Sequence, residues 1–297
     1  MKSFVGSRAI PEMEYHRPKE LMVALTLLQE LKDSCKLIAG GTDLLPAFRR
    51  GTLSLGSRPI VDLSFIKELD YIKKEKEQIR IGAVTHLSDL EGSAIIRKYA
   101  PILADALRHM GSPQIRNQGT IGGNLCNASP AADTAPPLLI LEARVLLKSV
   151  EGQRVISLDQ FFLGPGMTIL APGEILTEIQ IPIPKDEGGF CFLKLGRRNA
   201  FTLSIISVAA WVKVKEETFQ GIRIALGAVA PTPMRALKTE KYIEGQRVTE
   251  KTIDSGAKVV SSEVQPISDV RASADYRKDM SYILTRRAIL SCVTPGK

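Results

Sequence analysis

The chain has 297 residues, 44% hydrophobic and only 5% aromatic, more than one ordinary core accommodates and enough for two domains. Its formal charge of +8 is spread out, with both signs interleaved in KKEKEQIR (73–80) and VKVKEETF (212–219). That pattern lacks the one-signed, aromatic-bearing patches that bind nucleic acid, and the absence of a long apolar run excludes a membrane span and points to a soluble, cytoplasmic protein.

The four cysteines, Cys35, Cys126, Cys191 and Cys292, contain no CxxC-like pair, and His16, His86 and His109 have no second ligand at metal-binding spacing. Free thiols and no bound metal are expected.

In chain order, Leu21, Ala24, Leu25, Leu28 and Leu31 recur at helical spacing until Asp33 and Ser34, which predicts an amphipathic helix over 20–31. A short strand follows over 36–39, then two glycines, and the apolar residues after Asp43 suit a helix as far as Gly51. Strands are predicted at 60–63, 71–74 and 78–81, the last two forming a hairpin. Thr85 is placed to cap a short helix through Leu90, with further helices at 95–99 and 102–110, the latter opened by Pro101.

The segment GSPQIRNQGTIGGNLCNASPAADTAPP (111–137) is rich in glycine, proline and small polar residues and shows no period. It reads as one long ordered loop, and a loop of that length in a compact domain is usually functional. Asp133 reads as a helix start, with Leu138 to Leu141 as the helix body. Strands at 143–148 and 154–158 pair across Glu151-Gly152, and a strand at 175–181 ends at Pro182. IPIPKDEGG (181–189) is the clearest linker. Beyond it, strands at 190–195, 204–214 and 221–229 precede helices at 236–244, 251–264 and 273–291, which predicts an antiparallel sheet covered on one face.

Two glycine-rich turns carry the chemistry. LIAGGTDLLP (37–46) bends between a strand and a helix, and Thr120-Ile121-Gly122-Gly123-Asn124 has the same character. Such turns expose backbone N–H groups and let an anionic ligand approach the main chain, most naturally a pyrophosphate held from both sides. Neither GxGxxG nor GKS/GKT is present, so this is neither a Rossmann fingerprint nor a P-loop. Asp133 supplies a carboxylate for a ribose, while the carboxylate of Asp43, which no phosphate would approach, is expected to cap the following helix. The competing reading of each turn is purely structural, with Thr42 or Asp43 as the cap.

The ordered set AGGTDLLP (39–46), TIGGNLCNASPAAD (120–133), FFLGPGMTIL (161–170), EILTEIQIP (174–182), FLKLGRRNAF (192–201) and SADYRKDM (273–280) resembles the FAD-binding subunit of molybdenum hydroxylases, the group that includes xanthine dehydrogenase and aerobic carbon monoxide dehydrogenase. The resemblance implies an α+β chain: a two-subdomain FAD-binding domain of the vanillyl-alcohol-oxidase type over 1–183, with a break near 52–58, and a smaller C-terminal domain over 188–297. Carried over by position, Leu37, Ile38, Ala39, Gly40, Gly41, Thr42, Asp43 and Leu44 would hold the FAD pyrophosphate with Thr120, Ile121, Gly122, Gly123 and Asn124. Asp133 would bind the ribose or adenosine part, and Leu176 and Lys194 fall where the family contacts the flavin. The resemblance also implies a small partner with two [2Fe-2S] clusters, a large molybdopterin-binding partner, and an acceptor such as NAD. A self-contained flavoenzyme of the UDP-N-acetylenolpyruvoylglucosamine reductase type and a flavin-free binding module are the alternatives.

Overall fold

The computed structural model describes residues 12–31, 34–53, 58–198 and 202–294. The first unit is a three-stranded parallel sheet of β1 (Tyr15–His16), β2 (Lys36–Ile38) and β3 (Ile60–Asp62), with β3 in the middle. Helix α1 (Leu21–Leu31) buries Leu21, Ala24, Leu25 and Leu28 in a core with Val61, Leu63 and Ile66, and Glu68 accepts its first N–H, from Leu21, at 2.7 Å. Helix α2 (Leu44–Arg49) follows β2. The break expected near 52–58 lies partly on residues outside those described. Since β3 beyond it pairs with β2 before it, this sheet spans that stretch, and the change of sheet comes between Asp62 and Ile72.

The second unit is a five-stranded antiparallel sheet in the order β4-β5-β10-β6-β7, built from β4 (Ile72–Glu75), β5 (Gln78–Gly82), β6 (Arg144–Lys148), β7 (Gln153–Ser157) and β10 (Ile175–Pro182). The small hairpin of β8 (Phe162–Gly164) and β9 (Met167–Thr168) stands apart. Strand β10 returns to the centre of the sheet, and a register shift between Leu176 and Glu178 turns Leu176, Ile179 and Ile181 all into the same core. Without that bulge the strict alternation of a strand would separate Leu176 from Ile179.

Helices α3 (Leu87–Gly92), α4 (Ala94–Tyr99), α5 (Pro101–Arg108), α6 (Pro113–Gln118), α7 (Ile121–Cys126) and α8 (Ala135–Ile140) lie between β5 and β6 in sequence and supply much of that core. Three expectations are corrected here. The stretch 111–137 contains α6 and α7, each entered through a hydroxyl cap: Ser112 accepts from Ile115 N–H at 3.4 Å and Thr120 from Gly123 N–H at 3.2 Å. Asp133 does not start α8, whose N-cap is Thr134. Nor does Thr85 cap α3; it is buried, and its hydroxyl exchanges hydrogen bonds of 3.1 Å with both N–H and C=O of Tyr71.

The C-terminal part is the antiparallel sheet of β11 (Gly189–Leu195), β12 (Ile206–Lys215), β13 (Thr218–Gly227) and β14 (Met234–Arg235), in that order, with α9 (Leu237–Ile243), α10 (Glu250–Val259) and α11 (Ala274–Val293). Along β12 the side chains alternate. Val208, Ala210 and Val212 join a core with Ile253, Ala288 and Ile289, whereas Ala209 and Trp211 join the core of the preceding unit together with Phe192 and Ala225. The sheet is therefore covered on both faces, not one, because both of its faces are apolar.

Candidate functional site

Strand β2 leads out of the parallel sheet directly into the first glycine turn. Gly41 has φ +67°, a conformation that costs any L side chain strain. Gly40 is constrained differently: a Cβ there would lie 1.9 Å from Gln118 O and 2.9 Å from Gly119 Cα. The two glycine turns, far apart in sequence, therefore meet backbone against backbone. From Gly40 to Leu44 no amide has a backbone acceptor among the described residues; the first that does is Leu45 N–H, which donates to Gly41 O at 3.1 Å.

Asp43 occupies the N-cap position of α2 but makes no side-chain cap hydrogen bond, which corrects the expectation of a carboxylate cap. Its backbone is already in the αR region, with ψ −47°, whereas a capping residue typically has β-region backbone. Asp43 as a whole is exposed, yet desolvation around its carboxyl pushes its pKa up, against the opposing pull of Arg50.

The second turn is built otherwise. Ile121 N–H donates to Thr85 O at 3.1 Å, Gly122 N–H to Ala83 O at 2.9 Å and Asn124 N–H to Thr120 O at 2.9 Å, while Gly123 N–H goes to the Thr120 hydroxyl. The reading of unpartnered amides is thus corrected for residues 121–124. Here the glycines serve proximity. A Cβ on Gly122 would lie 2.6 Å from Ala83 O, whereas one on Gly123 would meet only Thr120 Oγ1, at 2.8 Å, on an otherwise exposed face. Asn124 Oδ1 accepts from the Thr134 hydroxyl at 2.5 Å, which leaves its NH2 to donate elsewhere. Thr120 and Ile121 are buried.

Asp133 and Lys194, read from sequence as separate contacts, form one unit. Lys194 Nζ lies 2.6 Å from Asp133 Oδ2, both side chains only 7% exposed, and it also donates to His109 O at 2.9 Å. Ser204 Oγ donates to Asp133 Oδ1 at 2.6 Å. Burial pushes the Asp133 carboxyl up, and Lys194 and Ser204 pull it back. The pair joins the segment before α8 to strand β11. Sequence reasoning missed Ser204 and the His109 carbonyl, since neither residue type nor spacing marks them. Leu176 is buried on β10, opposite Leu147 in the helical core.

A double-glycine turn whose amides have no backbone acceptor among the described residues, packed against a second turn that carries an exposed Gly123, suits a phosphate-bearing cofactor that needs close backbone approach. Residues 11–184 match the family described as FAD binding domain in molybdopterin dehydrogenase. The chain belongs to that family. This FAD-binding medium subunit also matches the CO dehydrogenase flavoprotein C-terminal domain over 191–292. It is 34% identical over 278 residues to the glyceraldehyde dehydrogenase medium chain of Sulfolobus acidocaldarius, covering 94% of this chain and 97% of that one. The xanthine dehydrogenase FAD-binding subunit of Escherichia coli O157:H7 is 34% identical, with 94% and 95% covered.

Among solved structures, the carbon monoxide dehydrogenase of Hydrogenophaga pseudoflava that lacks the Mo-pyranopterin moiety superposes with a TM-score of 0.92 at 33% identity, over 96% of this chain and 99% of that one. The FAD-binding medium subunit is thus an oxidoreductase subunit of the molybdenum hydroxylase family, and these likenesses do not favour the self-contained reductase. Among the described residues no helix is long and apolar enough to cross a membrane.

Proposed function

We propose that this subunit holds FAD across its two glycine turns and so passes electrons from the [2Fe-2S] clusters of a small partner, fed by a large molybdopterin-binding partner, to an external acceptor such as NAD. The observation that carries the reading is the backbone contact of Gly40 with Gln118 and Gly119, which brings the two turns that resemblance assigns to the pyrophosphate into one surface. FAD supplies the link between one-electron carriers and a two-electron acceptor. The chain supplies the binding and the local charge.

In this reading the amides of Gly40 to Leu44, following Leu37, Ile38 and Ala39, face the pyrophosphate. Gly123 and the Asn124 NH2 approach it from the second turn, with Thr120, Ile121 and Gly122 holding that turn in place. Asp133, which the resemblance assigns to the ribose or adenosine part, touches Lys194 at 2.6 Å and in this reading stands at the same part of the cofactor, the flavin. Lys194, held by Asp133 and the His109 carbonyl, sets fixed positive charge beside the flavin and favours the redox state carrying more negative charge. Leu176 backs the site from β10. Burial pushes the Cys126 thiol up to about 12, which leaves it unreactive.

The test is to express the full chain, confirm that FAD co-elutes on gel filtration, and mix it with the reduced [2Fe-2S] partner. Bleaching of the flavin absorbance is expected. FAD that stays oxidised beside a reduced cluster would defeat the electron-transfer reading, and a colourless chain that takes up no added FAD would defeat the site.

A further inference from the structure

Helix α11 buries one stripe along its length, from Arg277 through Ser281, Leu284, Thr285, Ala288 and Ile289 to Cys292. The first of these carries a guanidinium on a residue only 1% exposed. Burying that charge is costly, and an apolar residue of similar volume often serves stability as well or better. Among the described residues its one carboxylate partner is Asp269, with Nη2 to Oδ1 at 2.9 Å, and its Nε–H finds no acceptor.

What the guanidinium does reach is informative. Nη1 donates to two carbonyls, Ile205 O at 2.5 Å and Ala228 O at 2.9 Å. Both residues lead to the segment that ends in Asp133, Ile205 through its neighbour Ser204 and Ala228 by its own hydrogen bond. Ser204, next to Ile205, donates its hydroxyl to Asp133, and Ala228 N–H donates to Pro130 O at 2.7 Å. Ile205 N–H donates to Leu195 O at 2.8 Å, one residue beyond Lys194. Ala228 holds φ +64°, a conformation that persists only when its surroundings fix it.

We propose that Arg277 is a positioning residue for the flavin site: by pinning the Ile205 and Ala228 carbonyls it sets the placement of Asp133 through Ser204 and Pro130, and with it the ammonium of Lys194. The proposal rests on the reading of Asp133 and Lys194 as flavin contacts. A planar fork with several N–H donors can span two carbonyls and a carboxylate at once; a lysine ammonium at the same place is a point charge and cannot hold all three in that geometry.

The experiment uses the full chain loaded with FAD in four variants, Lys194→Met, Asp133→Asn, Arg277→Lys and Ser204→Ala, and reads the visible circular dichroism of the flavin, its reduction potential and its dissociation constant. Arg277→Lys and Ser204→Ala are each expected to move the dichroism and the potential in the direction that Asp133→Asn does. They should also weaken FAD binding about fivefold, the loss of about one hydrogen bond. The double variant Arg277→Lys/Ser204→Ala should fall short of the sum of the two singles, because Ser204 lies on one of the two paths that leave Arg277.

If Arg277→Lys lowers the melting temperature and leaves all three flavin readouts at the wild-type values, Arg277 is structural only and the proposal fails. Should Arg277→Lys not fold, Asp269→Asn decides, because it loosens the guanidinium without touching Ser204 or Asp133: an unchanged flavin refutes the route, and a shift in the direction of Asp133→Asn upholds it. If Lys194→Met and Asp133→Asn themselves leave the flavin untouched, the underlying site reading is what has failed.

Discussion

Gly40 and Gly123 look alike in sequence and differ in what surrounds them. A side chain at Gly40 collides with the Gln118 carbonyl, so Gly40→Ala should drive the two turns apart, cost about 1–3 kcal/mol as overpacking does, and release FAD. Gly123→Val meets only the Thr120 hydroxyl that caps α7, on an otherwise exposed face. It should lose FAD with a smaller fall in melting temperature, that of a disturbed cap. Flavin absorbance after gel filtration, read beside a thermal melt, separates the two outcomes, and full flavin retention by Gly123→Val would remove the second turn from the site.

Lys194 permits a sharper expectation. Removing it leaves Asp133 buried with only a hydroxyl for company, and breaking a buried pair typically costs about 3–5 kcal/mol. Desolvation already raises the Asp133 carboxyl, and without Lys194 that effect acts nearly unopposed. A carboxyl raised in the folded state contributes stability at acid pH that is lost as pH rises through its folded value. Lys194→Ala should therefore be most destabilised near neutrality and recover toward acid, and Asp133→Asn added to it should restore the neutral-pH loss. Chemical denaturation across pH checks this, and the same variant should show a lower flavin potential.

At the scale of elements, legibility follows length. Helix α1 announces itself by repeating its period, β12 and β13 by long runs of strand-forming residues, ten apiece, and the hairpins by the turn residues between their strands. Helices α6 and α7 span six residues apiece, under two turns, and no 3.6-residue period can register in so short a run. Their local signals, Ser112-Pro113 and Thr120, were present but stood among other small polar residues. The glycine turns were legible as turns. That the amides of Ile121 and Gly122 are claimed by Thr85 and Ala83 depends on tertiary packing, which spacing does not encode. The stripe of α11 was obscured in another way, since Arg277, Ser281 and Thr285 interrupt its apolar face.

Two element-level outcomes follow from how α11 is seated. A Cβ on Gly189 would lie 2.1 Å from Cys292 O, so Gly189→Val should unseat the end of α11 from β11 and lower the melting temperature by several degrees. At the other end of the helix, burial pushes the Asp269 carboxyl up, but hydrogen bonds from Arg271 and Arg277 more than offset this and hold it well below the usual carboxylate range. A carboxyl depressed in the folded state contributes stability above its unfolded pKa and loses that contribution as pH falls toward its folded value. Asp269→Asn should flatten the acid limb of the stability curve, and an unchanged acid limb would show that this carboxylate does not anchor α11.

At the scale of the molecule, the C-terminal sheet is shared between two cores, with Ala209, Trp211 and Ala225 on one side and Val208, Ala210 and Val212 on the other. The two parts are thus expected to unfold in one calorimetric transition. A fragment of residues 1–183 would uncover the apolar surface of α5 and α8 and should bind a hydrophobic dye and aggregate. Two well-separated transitions in the full chain would refute this coupling.

The shared sheet also carries the one tryptophan of the chain. Trp211 is 4% exposed, lies in the core common to both parts, and has the Arg223 guanidinium 4.6 Å from its ring. The protein therefore contains its own single-site optical reporter. Indole emission comes from one position only, at the seam where the C-terminal sheet meets the helices of the preceding unit, so its wavelength registers hydration of that seam, and energy transfer to a bound isoalloxazine gauges its distance from the cofactor.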